Sequence, residues 1–250
     1  MVATANPLRS LSGDADYLAA RLKSFKGPVV LVGPSYCEAD ISNAAVGNSN
    51  VKSLVHIAAF APDKGGGALQ LAAKYPGSRL VDDPKAPVPT ALTPVPVGGS
   101  ATDVDLYIKP DRFSDVFLSN RVEAGRAKVL AASQRPATAL AGSEPSRAAA
   151  WKTIPSWYMV VTGDRAIGTD TLRVTAKRAR PTTVEVDAPH DVLETNPDDV
   201  TDLILQAAQN ARPSLARTGT TTQASVLSGV AVLTVVGGFT ITVRARRSLR

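Results

Sequence analysis

Three residues of this 250-residue chain, Ser35, Asp164 and His190, are of the types that together could act on a substrate. Ser35 stands in VVLVGPSYCEAD, residues 29–40. Four apolar residues, 29–32, read as a short buried strand. Gly33-Pro34-Ser35-Tyr36-Cys37 then turns into a run that suits a helix. Such a turn lifts the serine hydroxyl clear of the backbone, and the helix N-terminus behind it favours negative charge. The pattern is G-x-S, with Cys37 where a second glycine is usual. Asp164 follows the apolar run 156–161, and His190 follows the run 182–186, so both fall at strand ends. A hydroxyl, a carboxylate and an imidazole are the groups that nucleophilic acyl transfer uses.

The elements that must position these residues follow the hydrophobic pattern. Residues 1–4 read as the end of a strand, broken by Asn6-Pro7. Residues 14–25 read as a helix with Tyr17, Leu18, Leu22 and Phe25 on one face, stopped by Gly27-Pro28. The helix after Ser35 runs to about Val46. Glu38 and Asp40 in its first turns suit the helix dipole, and a sharper reading has their charge disfavouring an oxyanion at Ser35. Residues 53–59 give the next strand, with His56 as a packed core residue and Phe60-Ala61-Pro62 lining a pocket wall.

Residues 63–110 carry three consecutive glycines and seven prolines, which argues against regular sheet and long helix and predicts a cap over the site. Short helices at 113–117, 122–132 and on to about 150 extend the cap, with Arg126 and Lys128 on a solvated face. Strands at 156–161 and 182–186 flank a helix at 169–179. A closing helix at 198–209 turns Val200, Leu203, Ile204 and Ala207 inward. The alternation predicts an α/β fold with a mostly parallel sheet.

The length allows one domain with a full core. The net charge of +6 is not spread over it. Six arginines and no acids fall in residues 208–250, which leaves 22 basic against 22 acidic residues in the first 207. A neutral body with few aromatics excludes a nucleic-acid footprint. The single cysteine, Cys37, excludes an internal disulfide and a cysteine-based zinc site.

The blocks NPLRSL, LVGPSY, AAFAPD, AWKTIPSWY, TGDRAI and VEVDAPH resemble a bacterial, esterase-type branch of the α/β-hydrolase superfamily, over roughly residues 1–207. The order Ser, Asp, His along the chain is also that of α/β-hydrolases. The resemblance implies an α/β-hydrolase domain at 1–207 with a cap at about 63–150. It implies Ser35 as nucleophile, His190 as base and Asp164 as the acid that orients it. It further implies the Tyr36 N–H as one oxyanion donor, with Pro34, Cys37 and Phe60 around the pocket. Members of the family usually carry His-Ser-Tyr-Gly-Gly where this chain has Pro34-Ser35-Tyr36-Cys37-Glu38.

The family also has first strands and an oxyanion loop ahead of the point where this chain starts. The expectation is therefore an incomplete sheet, with 29–32 left at an unpaired edge or residues 1–4 sliding in beside it, and a Met1 that is not the true start. The function implied is that of a carboxylesterase-like serine hydrolase of small esters, with no cofactor and no metal. The competing expectation is a catalytically impaired homologue used for surface display or binding. Hydroxynitrile-lyase chemistry on the same three residues stays open.

The end of the chain carries a separate signal. After a polar linker at 208–222, residues 224–243 are 20 positions without a charge, about 30 Å as a helix and enough to span a bilayer. Arg244, Arg246, Arg247 and Arg250 follow, which sets the tail 244–250 in the cytoplasm and the domain outside. A β-hairpin turning at Gly237-Gly238 is the alternative. Leu215-Ala216-Arg217-Thr218-Gly219 resembles the LAxTG motif read by actinobacterial sortases. With the apolar span and basic tail behind it, the motif implies cleavage after Thr218, a sortase as partner, and a membrane or cell-wall location. That route needs a secretory signal, and residues 1–10 do not read as one.

Overall fold

A computed structural model describes residues 1–83, 85–86, 88–98, 103–211 and, for the backbone alone, 231–236. Strand β1 (Val2–Ala5) leads into helix α1 (Leu11–Leu22). The Ser10 side chain accepts the Gly13 N–H at 3.1 Å, and this cap starts α1 earlier than the apolar spacing alone suggests. Strand β2 (Val29–Pro34) follows, and Val29 to Val32 are wholly buried, as in a strand covered on both faces. Helix α2 (Cys37–Ala44) and strand β3 (Val51–Ile57) come next.

The chain then leaves the sheet. It forms α3 (Ala68–Ala72), β4 (Leu92–Pro96), β5 (Val104–Ile108), α4 (Pro110–Leu118), α5 (Ala124–Ser133), β6 (Ala137–Thr138) and α6 (Ala139–Ser143). It returns as β7 (Ser156–Val161), α7 (Thr169–Ala179), β8 (Thr182–Val186), α8 (Val192–Thr195) and α9 (Pro197–Asn210). The last described element is β9 (Ala231–Val236). The main sheet has the order β1-β9-β2-β3-β7-β8, and each neighbouring pair is parallel. Val200, Leu203, Ile204 and Ala207 of α9 are buried in the core beside these strands.

Two expectations change here. Residues 231–236 lie inside the stretch read as a membrane helix over 224–243, yet they form β9. Four of the six, Val232, Thr234, Val235 and Val236, are β-branched and suit a pleated strand. A strand between two others also satisfies its backbone N–H and C=O groups on both sides. β9 pairs with β2 from Val29↔Ala231 to Val32↔Thr234, and with β1 from Val2↔Leu233 to Ala5↔Val236. The open edge expected at 29–32 is thus filled from the far end of the chain, and residues 1–4 do not slide in beside it. Among the described residues no helix is long and apolar enough to cross a membrane. The rest of that span, the Gly237-Gly238 turn, the 215–219 motif and the basic tail 244–250 lie outside the described residues.

The cap also contains regular sheet, which its prolines argued against. β4, β5 and β6 form a small antiparallel sheet in that order. Pro94 and Pro96 are tolerated because β4 is its edge strand, where a missing N–H costs no ladder bond. Leu92, Ile108, Phe113, Leu118 and Leu130 give the cap an apolar cluster of its own. Arg126 is not simply solvated: it pairs with Glu194 on α8 at 2.8 Å.

Thr234→Pro tests the central strand. Proline there removes a ladder hydrogen bond and leaves its buried acceptor unpaired, at a cost of about 1–3 kcal/mol. For a chain of this size that lowers Tm by roughly 2–12 °C, readable by circular dichroism. An unchanged Tm would mean that residues 231–236 are not in the sheet.

Candidate active site

The site begins with a steric demand. A Cβ on Gly33 would lie 2.7 Å from the Cys37 carbonyl oxygen and 2.8 Å from the Glu38 nitrogen. Only glycine lets the chain fold back this closely. Ser35 itself has φ of 52°, a left-handed conformation that a non-glycine residue holds at a cost of about 1–3 kcal/mol. Its N–H donates to the Ile57 carbonyl at 3.0 Å, which ties the turn to the end of β3. The hydroxyl therefore stands at the carboxyl edge of the sheet, ahead of α2. The Tyr36 N–H is among the first-turn amides of α2 that lack an intrahelical acceptor.

Asp164 and His190 arrive from the ends of β7 and β8. The Gly163 N–H donates to the Ala188 carbonyl at 3.0 Å, and the Thr162 N–H to the Val186 carbonyl at 2.9 Å. These bonds hold the two strand-end loops together. Asp164 Oδ1 accepts the Ile167 N–H at 2.7 Å and the Gly168 N–H at 3.2 Å, so the carboxylate is aimed before any substrate arrives. Its Oδ2 lies 2.7 Å from His190 Nδ1, and His190 Nε2 lies 3.0 Å from Ser35 Oγ. A carboxylate can only accept, which puts the ring proton on Nδ1 and leaves Nε2 to accept from the serine hydroxyl. Asp164 and His190 are buried, and Ser35 is half-buried.

Burial pulls the His190 imidazole toward its neutral form. The charge of Asp164, their hydrogen bond and the charge of Asp191 outweigh that pull, so the pKa is raised above the ordinary histidine value of 6.5. The Phe117 ring meets the imidazole edge-on, with centroids 4.8 Å apart. Its carbonyl accepts the Asp191 N–H at 3.0 Å, which fastens the cap to the histidine loop.

A cavity of about 210 Å³ opens above Ser35. Pro34, Cys37 and Phe60 line it, together with Ser35, Tyr36 and His190; Ala61 and Pro62, expected in the same wall as Phe60, are not among the lining residues. The cap adds Leu80, Leu106, Phe113 and Phe117. Sequence reasoning missed Phe117 and Asp191. Phe117 reads as one more apolar helix residue, whereas the adjacency of Asp191 to His190 was a usable signal. Glu38 and Asp40 do lie in the first turn of α2, but both are wholly inaccessible, which the sequence reading did not foresee. Glu38 Oε1 lies 3.3 Å from His56 Nδ1, and Asp40 accepts a hydrogen bond from Asn6 Nδ2. Burial, helped by the charge of Asp14, pushes the Asp40 carboxyl well above the usual range. His56 is in the core as expected, stacked on Tyr158.

No protein-family model matches the sequence, and no curated protein matches it. Solved structures do match it in fold. The methylesterase MES16 from Arabidopsis is 15% identical, with a TM-score of 0.61 over 80% of this chain and 78% of its own. Polyneuridine aldehyde esterase is 14% identical, with a TM-score of 0.63 over 79% of each chain. An extracellular alpha/beta-hydrolase from a Paenibacillus species is 18% identical, with a TM-score of 0.59 over 79% of each chain. The fold is accordingly that of the α/β-hydrolases, with its parallel sheet.

The electrostatics predict a measurable titration. Asp164 favours the charged imidazole, so NMR should show His190 titrating above 6.5 and Asp164→Asn should lower that pKa. A His190 that titrates below 6.5 in the unaltered protein would contradict the described contact.

Proposed function

We propose that the chain is a carboxylesterase-like serine hydrolase acting on small, largely apolar esters. One observation carries this reading: the continuous path from Ser35 Oγ through His190, 3.0 Å and then 2.7 Å, to Asp164. His190 Nε2 takes the hydroxyl proton as Ser35 Oγ attacks the ester carbonyl, and Asp164 stays ionised to stabilise the imidazolium. The oxyanion forms at the head of α2, where the Tyr36 N–H and the helix dipole favour it. Collapse expels the alcohol, which leaves with the proton from His190. Water then releases the acyl group by the same relay. Solved α/β-hydrolase structures named as esterases support the reading by analogy. The apolar cavity lining supports substrates without large polar groups.

The second reading is a homologue with impaired catalysis that serves for display or binding. It draws on the oxyanion site, for which Tyr36 is the one donor identified among the described residues. Loss of one oxyanion donor typically costs about 10²–10³ in rate. A surface location, with a sortase as partner, rests on the LARTG sequence at 215–219 and the arginines at 244–250. A membrane span at 224–243 draws on the residues of β9, so anchoring in that form requires 231–236 to leave the sheet.

A fluorophosphonate probe separates the first two readings. Labelling that disappears in Ser35→Ala, with hydrolysis of p-nitrophenyl butyrate falling roughly 10⁴-fold or more, is the expected result. A folded protein that takes no label would favour the display reading. For the location, purified sortase should cleave the full-length chain after Thr218, and an uncut chain would remove the wall-anchoring proposal.

A further inference from the structure

We propose that Asp191 makes this site selective for esters whose leaving alcohol carries a hydrogen-bond donor, a hydroxyl or an ammonium group. The proposal rests on the esterase reading above and adds a substrate class to it.

Asp191 directly follows His190, lines the same cavity and is only 6% exposed. Its backbone is held from both sides. The N–H donates to the Phe117 carbonyl at 3.0 Å, and the carbonyl accepts the Glu194 N–H at 3.2 Å. The side chain therefore leaves a fixed point. Neither carboxylate oxygen accepts a hydrogen bond among the described residues: Oδ2 is sealed in the protein, which leaves Oδ1 as the oxygen open to a ligand. The charged groups that face it are His190, Glu194 on α8 and Arg126 on α5. His190 is engaged with Asp164 and Ser35, and Arg126 makes two bonds of 2.8 Å to Glu194. Burial pushes the Asp191 carboxyl up to about 6, against the opposing pull of His190. At neutral pH it is thus an ionised group with little solvent and an oxygen left over. Buried polar atoms of this kind are costly unless a partner satisfies them.

The geometry says which part of a substrate supplies that partner. His190 returns its proton to the leaving alcohol, so the alcohol lies against His190 and beside Asp191. A donor two carbons along that alcohol meets a carboxylate in a wall that is mostly apolar, with Gln134, Arg135 and Thr138 as its other polar members beyond the catalytic residues and Tyr36. A carbon isostere leaves the carboxylate unpaired, which is how a polar pocket rejects the wrong substrate.

The experiment compares 2-hydroxyethyl butyrate with propyl butyrate, and 2-(dimethylamino)ethyl butyrate with 3-methylbutyl butyrate. The unaltered protein should prefer at least one donor-bearing ester by roughly tenfold or more in kcat/KM. The preference should grow as pH rises through 6 and the carboxylate forms. Asp191→Leu should bring the ratios to near one, whereas Asp191→Asn should keep part of the hydroxyl preference and lose the ammonium one. Calorimetry on Ser35→Ala, with N-(2-hydroxyethyl)butyramide against N-propylbutyramide, reads the same contact without catalysis. If no ester is hydrolysed, the esterase reading fails and the Asp191 proposal is decided by the calorimetry. Equal treatment of each pair by the unaltered protein, or a preference that survives in Asp191→Leu, overturns it.

Discussion

There is no room for a methyl group at residue 33. The missing side chain of Gly33 lets β2 fold back on the start of α2, and Ser35 between them holds a left-handed conformation. Strain of this kind persists only where the surroundings over-determine it. Here they do: β2 is wholly buried along its apolar length and paired with β9 on one side and β3 on the other. The end of β3 also takes the Ser35 N–H. The rest of the site is placed relative to this fixed hydroxyl. β7 and β8 stop at the same edge, Gly163 and Ala188 join their loops, and Asp164 is locked by two backbone amides.

Behind the turn, the same helix carries a second group of ionisable residues that the proposed chemistry does not use. Every residue of α2 is buried, so Glu38 and Asp40 cannot reach water from any face. Asp40 has Asn6 as partner on one oxygen, while among the described residues Glu38 has only the longer approach to His56. Asp164 is the contrast, with amide donors on one oxygen and the imidazole on the other. Three acids within one fold thus have different standing: one aimed by hydrogen bonds, one shifted toward its neutral form, one held against a histidine.

Local pattern was enough for part of this. The bounds of β7, α7 and β8 coincide with the runs 156–161, 169–179 and 182–186, where strong hydrophobic periodicity meets Gly163, Gly168 and Pro181. The meeting of Ser35, Asp164 and His190 was legible from strand ends and chain order. Glu38 was not, because position on a helix says nothing of what covers it. The cap sheet was hidden by prolines that an edge strand tolerates. β9 was hidden for a physical reason: a buried parallel strand and a membrane helix both demand an uncharged, apolar run. Neighbouring elements decide between them, and sequence pattern does not display neighbours.

The placement of β9 has a consequence for the making of the chain. Among the described strands β1 pairs with β9 alone, so β1 stays undocked until residues 231–236 arrive. At about 5–20 residues per second that delay is on the order of 10–50 seconds. During it β2 has a bare, apolar edge, the kind that pairs with other chains. Contacts this distant in sequence are also slow to form. The sheet can close only after residues 231–236 have cleared the ribosome, and until then the bare edge of β2 is open to misassembly.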